Sequence, residues 1–252
     1  MSRTGGLGFS LRLRASSVRL EGDRAFLEDP CEVSHARACR LKVGERVQLL
    51  FEDGRRASCT VVSASRGSLE LRIEGFETLK RPYPVLVLMA LPSRSALEEA
   101  VRTLTELGVR AIGVFRSERS HSSSTGEVRL ERLRRIAVEA SKQSGNPYLP
   151  EVSFLGSLEE AVGLCLGPIA CAAPSEGEGE VSPLGRLLAE RISRGMPVEL
   201  IVGPEGGFSG GEISLLRERG VPLARLGRLT LRSPTAAVAA SALALGLSEV
   251  LG

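Results

Sequence analysis

Val198-Glu199-Leu200-Ile201-Val202-Gly203-Pro204-Glu205-Gly206-Gly207 runs through Phe208 into Ser209-Gly210-Gly211-Glu212. The short apolar run predicts a buried strand and the glycines a sharp turn. Ser209 with Glu212 three residues later predicts a capping box that opens a helix. A strand, a glycine turn and a helix in that order are the building unit of an α/β domain, where ligands meet the carboxyl ends of the strands. The stretch is neither G-x-G-x-x-G nor a P-loop with its G-K-[ST], so it does not select a dinucleotide or a triphosphate. Glycines at this point leave backbone open to a ligand. The plainer alternative is a tight β-to-α turn.

The same alternation extends outward in both directions, which predicts a parallel sheet from Pro84 onward. Strands are expected at Val85–Leu91, Ala111–Phe115, Val152–Phe154, Pro168–Ala172 and Leu223–Leu226. Helices are expected from a capping box at Ser95–Glu98 to Gly108, over Glu127–Ser144, Ser157–Leu164 and Leu184–Arg194, and from Ser209 to Gly220. The acidic stretch Ser175–Glu180 reads as a surface loop. A second strand-to-helix junction, Leu226-Gly227-Arg228-Leu229-Thr230-Leu231-Arg232-Ser233-Pro234-Thr235, offers Ser233 as cap and Pro234 as first residue of an Ala-rich final helix. Both junctions fall at carboxyl ends of strands, which raises them together as a binding site.

Upstream of Lys80 the pattern changes to short strands, at Ser10–Arg14, Arg24–Leu27, Arg46–Phe51, Ser58–Ser63 and Ser68–Ile73. A turn at Glu52–Arg55 and one helical stretch at Glu32–Arg40 complete a small β-barrel or sandwich. Arg81-Pro82-Tyr83-Pro84 reads as a linker, giving domains 1–80 and 84–252. The 252 residues, 42% apolar and 25% charged, suffice for a buried core. Apolar runs are interrupted, as Ser241 interrupts Ala236–Leu247, so no membrane span is expected. Five cysteines without C-x-x-C spacing suggest reduced thiols in the cytoplasm, and two histidines give metal chemistry little to use. The first 20 residues hold four Arg, four Ser and no acid, a composition shared with transit peptides, but the alternation from Ser10 to Arg14 favours a strand.

Charge is uneven. Residues 1–80 carry 14 basic and 11 acidic side chains, 81–150 carry 11 and 7, and 151–252 carry 8 and 12. An Arg-rich first 150 residues suits phosphate contacts, although a genomic preference for Arg explains the composition equally well. Arg129, Arg132, Arg134 and Arg135 on one helix read either as a solvated surface or as an RNA face. His35 reads as a surface residue and His121 as a loop residue. Seven Phe, two Tyr and no Trp leave few stacking positions, so RNA would be held by phosphate contacts and shape.

The two junctions together resemble those of the SPOUT class of RNA methyltransferases, and more closely the family (RsmE-like) that methylates N3 of a uridine in 16S ribosomal RNA. Gly203–Gly207 with Glu212 matches the family's G-P-E-G-G and following acid. Thr105–Gly108 resembles its E-L-G helix end, Ser117–Ser120 its S-E-R segment, Ala140–Gly145 its A-x-x-Q-S-G stretch, and Arg37–Gly44 the V-L-R-L-K-x-G run of its first domain. The resemblance implies an α/β fold in which a knotted SPOUT-type parallel-sheet domain follows a small PUA-like β-barrel. It implies a homodimer whose cofactor, S-adenosyl-L-methionine, lies against Gly203, Pro204, Glu205, Gly206, Leu226, Gly227, Leu229 and Leu231. It further implies Arg232 as the catalytic arginine, Arg37, Arg40, Lys42, Arg116 and Arg119 as RNA contacts, and 16S ribosomal RNA of the small subunit as partner.

Four positions depart from the family pattern. Leu229 stands where the family has Arg, Pro234 where it has Glu, Thr103 where it has Lys, and Asn146 where it has Arg. Two readings therefore remain beside each other: a uridine-N3 methyltransferase, and a catalytically impaired RNA-binding or ribosome-assembly protein that keeps the fold. A nucleotide-binding enzyme of ordinary α/β type rests on fold analogy alone.

Overall fold

The computed structural model describes residues 11–120, 128–171 and 181–251. His121 and the acidic stretch Ser175–Glu180 lie outside them. Contacts divide the chain into two compact units, 1–81 with 141–149, and 82–140 with 150–252.

The first unit is a six-stranded sheet in the order β1-β4-β5-β6-β3-β2, built from β1 (Leu11–Arg14), β2 (Val18–Glu21), β3 (Arg24–Leu27), β4 (Arg46–Leu50), β5 (Arg55–Ala64) and β6 (Leu69–Thr78). Only β1 and β4 pair in parallel. Alternation along the strands aims Ala25, Leu27, Val47, Leu49, Ala57, Cys59, Val61, Leu69 and Leu71 into one core. Helix α1 (Pro30–Ala38) adds Val33 and Ala36, and Asp29 Oδ1 caps it by accepting from the amides of Cys31 and Glu32. Two register shifts bend β5. The turn before β5 needs glycine twice over. Gly54 has φ 95°, and a Cβ there would lie 2.0 Å from the Tyr148 hydroxyl.

Residues 141–149 belong to this unit because they satisfy its buried charges. Arg14, 3% exposed, donates to Ser141 Oγ at 3.0 Å and to the Pro147 carbonyl at 2.8 Å. Lys142 Nζ lies 3.2 Å from Glu32 Oε1 with both side chains buried. Tyr148 donates to the Leu79 carbonyl at 2.8 Å under the guanidinium of Arg81.

The second unit is a seven-stranded parallel sheet in the order β11-β13-β10-β12-β7-β8-β9. Its strands are β7 (Val85–Ala90), β8 (Ala111–Arg116), β9 (Glu151–Ser157), β10 (Ile169–Cys171), β11 (Ser182–Pro183), β12 (Val198–Val202) and β13 (Leu223–Arg225). Its helices are α2 (Arg94–Leu107), α3 (Leu130–Ser144), whose last four residues cluster with the first unit, α4 (Leu158–Gly163), α5 (Leu184–Ser193), α6 (Gly210–Glu218) and α7 (Ser233–Leu251). Strands buried on both faces explain the unbroken apolar runs in the sequence. Val85, Val87 and Met89 meet α2, α3, α5 and α7 on one face, while Leu88, Ala90 and Ile201 meet α4 and α6 on the other.

Three expectations are corrected. Helix α2 has Ser93 at its N-cap rather than a box at Ser95–Glu98, because the Glu98 carboxylate is taken by Arg132 and Arg94. Helix α7 begins one residue earlier than expected. The Arg232 carbonyl accepts the first helical bond, from Ala236, so Ser233 is N1 and Pro234 is N2. At 19 residues and mean hydropathy 1.5, α7 is also long and apolar enough to cross a membrane by length and composition, contrary to expectation. Packing accounts for one side of the helix, where Ala237, Ala240 and Ala244 are fully buried in the core that α2 and α5 share, while Leu243, Val250 and Leu251 are exposed and 33% of the apolar stretch is buried.

Candidate functional site

Two loops at the carboxyl ends of β12 and β13 enclose a cleft of about 230 Å³. Its walls contain all eight residues expected at the cofactor: Gly203, Pro204, Glu205 and Gly206 on one side, and Leu226, Gly227, Leu229 and Leu231 on the other. Val202, Gly207, Ala224, Cys171, Phe208, Arg225, Thr230, Ser233 and Ala236 complete the lining.

The first loop is rigid for reasons its glycines alone do not supply. The Gly207 amide donates to the Pro204 carbonyl at 2.9 Å, closing a turn, with Gly207 at φ 73°. Glu212, 6% exposed, completes the expected capping box: its Oε2 accepts from the Ser209 amide at 2.8 Å, and Ser209 Oγ accepts from the Glu212 amide at 3.1 Å. Its second oxygen accepts from the Glu118 amide at 3.1 Å, which ties the Ser117–Ser120 segment to the loop. Both oxygens are engaged by amides, so Glu212 acts as a clamp. Arg119 adds a second tie, donating to the carbonyls of Gly206 and Phe208 at 3.2 and 3.3 Å.

Gly203 is glycine for a reason the sequence did not show. A Cβ there would lie 2.9 Å from the Phe208 ring, so the residue makes room for a protein side chain. Gly227 in the opposite wall has no heavy atom within 4 Å of the same position, which leaves its backbone open to the cleft.

Polar chemistry in the cleft is sparse. The Cys171 thiol is pushed up to about 12 by burial, so it stays protonated near neutral pH and supplies no thiolate nucleophile. Ser233 is 3% exposed and its hydroxyl has no hydrogen-bond partner among the described residues. A buried hydroxyl without a partner costs about 1–3 kcal/mol, and one lining a cleft suits a polar ligand group. The sequence reading assigned Ser233 to capping and missed this. Arg232, between the lining residues Leu231 and Ser233, is exposed and is not itself among the residues that line the cleft; its carbonyl opens α7. Leu229 is 83% exposed on the same rim.

The remaining candidates sit elsewhere. Arg116 is exposed with its guanidinium over the Phe154 ring. Arg37 in the last turn of α1, and Arg40 and Lys42 between α1 and β4, are exposed in the first unit, and Arg40 holds φ 55°, a left-handed conformation in which glycine is usual.

The sequence profile of the RNA methyltransferase domain family matches residues 79–245, two thirds of the chain and all of this cleft, and that of the RNA methyltransferase PUA domain matches 29–74. The chain is 31% identical over 243 residues to the ribosomal RNA small subunit methyltransferase E of Mycobacterium tuberculosis, covering 92% of this chain and 86% of that one. This chain belongs to the ribosomal RNA small subunit methyltransferase E family. The Synechocystis member is 31% identical over 208 residues, covering 82% of this chain and 67% of its own. The crystal structure of the Neisseria gonorrhoeae member bound to S-adenosyl methionine superposes with a TM-score of 0.76 at 24% identity, covering 92% of this chain and 95% of that one. The shared fold is a PUA-like domain followed by a SPOUT-type parallel-sheet domain.

Proposed function

We propose that this protein methylates N3 of a uridine in 16S ribosomal RNA, with S-adenosyl-L-methionine held in the cleft between the β12 and β13 loops. The observation that carries the reading is the convergence of Gly203–Gly206 and Leu226–Leu231 on one cleft of a methyltransferase family fold. The residues suit the cofactor. Gly227 leaves backbone accessible, Leu226, Leu231 and Ala236 supply apolar wall, and Ser233 offers a buried hydroxyl without a partner. When bound, S-adenosylmethionine supplies an electrophilic methyl group on its sulfonium.

The protein's own part is to position, to exclude water and to stabilise charge. The loops clamped by Glu212 and Arg119 hold the pocket in shape before substrate arrives, so little reorganisation remains for the reaction. The target base leaves its stack to reach the site. As N3 takes the methyl group its proton passes to water, and the negative charge that develops on the uracil oxygens is stabilised by Arg232, next to the lining residues Leu231 and Ser233. Arg37, Arg40, Lys42, Arg116 and Arg119 contact the RNA backbone. The knotted threading of the two loops, a cytoplasmic setting and a homodimer belong to the same proposal. The homodimer draws support from α7, whose Leu243, Val250 and Leu251 are exposed at 37%, 79% and 45%.

A second reading, a non-catalytic RNA-binding relative, is favoured by Leu229. At 83% exposed it has room for an arginine, so no packing demand explains its leucine. Methyl transfer from labelled cofactor to under-methylated 30S subunits separates the two. The enzyme reading expects transfer that Arg232→Ala lowers at least about tenfold, equivalent to about 1.4 kcal/mol, and that Leu229→Arg with Pro234→Glu raises. Cofactor and RNA binding without transfer in the wild type would leave the RNA-binding relative standing.

A further inference from the structure

The Arg-rich helix that the sequence left between a solvated surface and an RNA face forms one wall of a groove. Helices α2 and α3 enclose about 740 Å³ lined by Arg94, Arg102, Arg129, Arg132 and Arg135 with two glutamates, Glu131 and Glu139. Its apolar residues are Val128, Leu130 and Ile136.

Two features distinguish this groove from an ordinary solvated face. First, nearby acids are already engaged. Arg132 makes a bidentate contact with Glu98, Nη2 to Oε2 at 2.7 Å, and Arg94 adds a third contact, so the Glu98 carboxyl is held down to about 2. Glu131 pairs at 2.7 Å with Arg134, which is not among the lining residues. Second, arginines stand where helix energetics disfavour them. Arg94 is the first residue of α2, and Arg129, whose carbonyl accepts from Leu133, precedes α3. A cation at the positive end of a helix typically costs about 0.3–1 kcal/mol, which the 3.3 Å contact to Glu98 offsets for Arg94 but which no side-chain contact among the described residues offsets for Arg129. Both helices follow parallel strands, so both starts lie at the carboxyl edge of the sheet, as does the cleft. The strands that feed them, β7 and β8, are the first and second neighbours of β12, about 5 and 10 Å along that edge.

We infer that this groove is a track for single-stranded RNA flanking the target base, with phosphates over the arginines and bases or riboses on Val128, Leu130 and Ile136. The inference rests on the methyltransferase reading and adds to it a second RNA contact, within the methyltransferase domain. Arginine suits the role because its planar fork pairs with phosphate oxygens, and apolar side chains suit unstacked bases.

The test is a triple variant, Arg102→Gln, Arg129→Gln and Arg135→Gln, which leaves the Glu98 contacts of Arg132 and Arg94 in place. Binding to a 20-nucleotide oligouridylate is measured by anisotropy across a salt series, with S-adenosylhomocysteine calorimetry and thermal melting on the same samples. The track expects unchanged melting and cofactor heats, weaker RNA binding, and a log-affinity against log-salt slope shallower by about 1–2, since each single-strand phosphate contact contributes about 0.7. Unchanged RNA affinity and slope would overturn it while leaving the methyltransferase reading intact. Competition by poly-glutamate as strong as by oligouridylate of equal charge would overturn it too, because the groove would then be a surface for acidic protein. A wild type that binds neither S-adenosylhomocysteine nor RNA would remove the reading underneath, and the track with it.

Discussion

Ser233→Ala should change stability and ligand affinity in opposite directions. In the free protein the Ser233 hydroxyl is buried and unpartnered among the described residues, so removing it relieves a desolvation cost of about 1–3 kcal/mol. Helix α7 loses no cap, since Ser233 is N1 and its hydroxyl makes no capping bond. At about 2–4 °C per kcal/mol for a chain of this size, melting should rise by about 2–12 °C. With S-adenosylhomocysteine bound, the wild-type hydroxyl gains a partner that alanine cannot replace. A hydrogen bond to a charged group contributes about 1.5–3 kcal/mol, so the variant should bind about 10- to 100-fold more weakly. Differential scanning fluorimetry without ligand and calorimetry with it read the two effects separately. A variant that melts lower without ligand shows that an ordered water or a neighbour already satisfies the hydroxyl. An unchanged affinity shows that the ligand does not reach it, and either result refutes the reasoning.

Three other outcomes follow from particular contacts. Lys142→Met strands the buried Glu32 carboxylate and should destabilise the protein by about 3–5 kcal/mol, whereas the double change Glu32→Leu, Lys142→Met should recover most of the loss in urea unfolding. Glu98 titrates near 2 in the folded protein against an ordinary value of 4.5, so its contribution is fully present above pH 4.5 and is lost as pH falls toward 2; Glu98→Gln should flatten melting temperature against pH in that window. Gly203→Ala, which places a Cβ 2.9 Å from the Phe208 ring, should weaken S-adenosylhomocysteine binding in calorimetry, and the double change Gly203→Ala, Phe208→Leu should restore part of it.

Elements legible in the sequence share one property: their signal is local. Strands β3 and β12 and the Ser209–Glu212 box fall where short-range pattern put them, because alternation, apolar runs and a three-residue cap spacing need no knowledge of the rest of the chain. Strand β2 was missed because it is an edge strand with its last three residues exposed, so V-R-L-E carries no buried face to read. Strand β11, two residues long with a proline, offers still less. The Ser95–Glu98 box failed for the converse reason. Its local pattern was adequate, but Arg132, 34 residues away, gives Glu98 a charged partner, and a bidentate ion pair competes well with an amide bond at a helix start.

The site divides along the same line. Which backbone lines the cleft was legible, because glycine turns at strand ends mark it. What holds that backbone in place was not. Glu212 reads locally as half of a capping box, yet its other oxygen fixes the Glu118 amide 94 residues earlier, and Arg119 returns the tie to Gly206 and Phe208. A carboxylate with both oxygens on amides and an arginine bridging two carbonyls resist movement together, so the β8 loop and the β12 loop shift as one body. The Ser117–Ser120 segment therefore acts on cofactor binding through loop position. Arg119, if it also meets RNA, couples substrate contact to the wall of the cofactor cleft through one side chain. Binding of RNA and of cofactor should then be linked, and by reciprocity each should change the affinity of the other by the same factor, which calorimetry with S-adenosylhomocysteine in the presence and absence of oligouridylate measures.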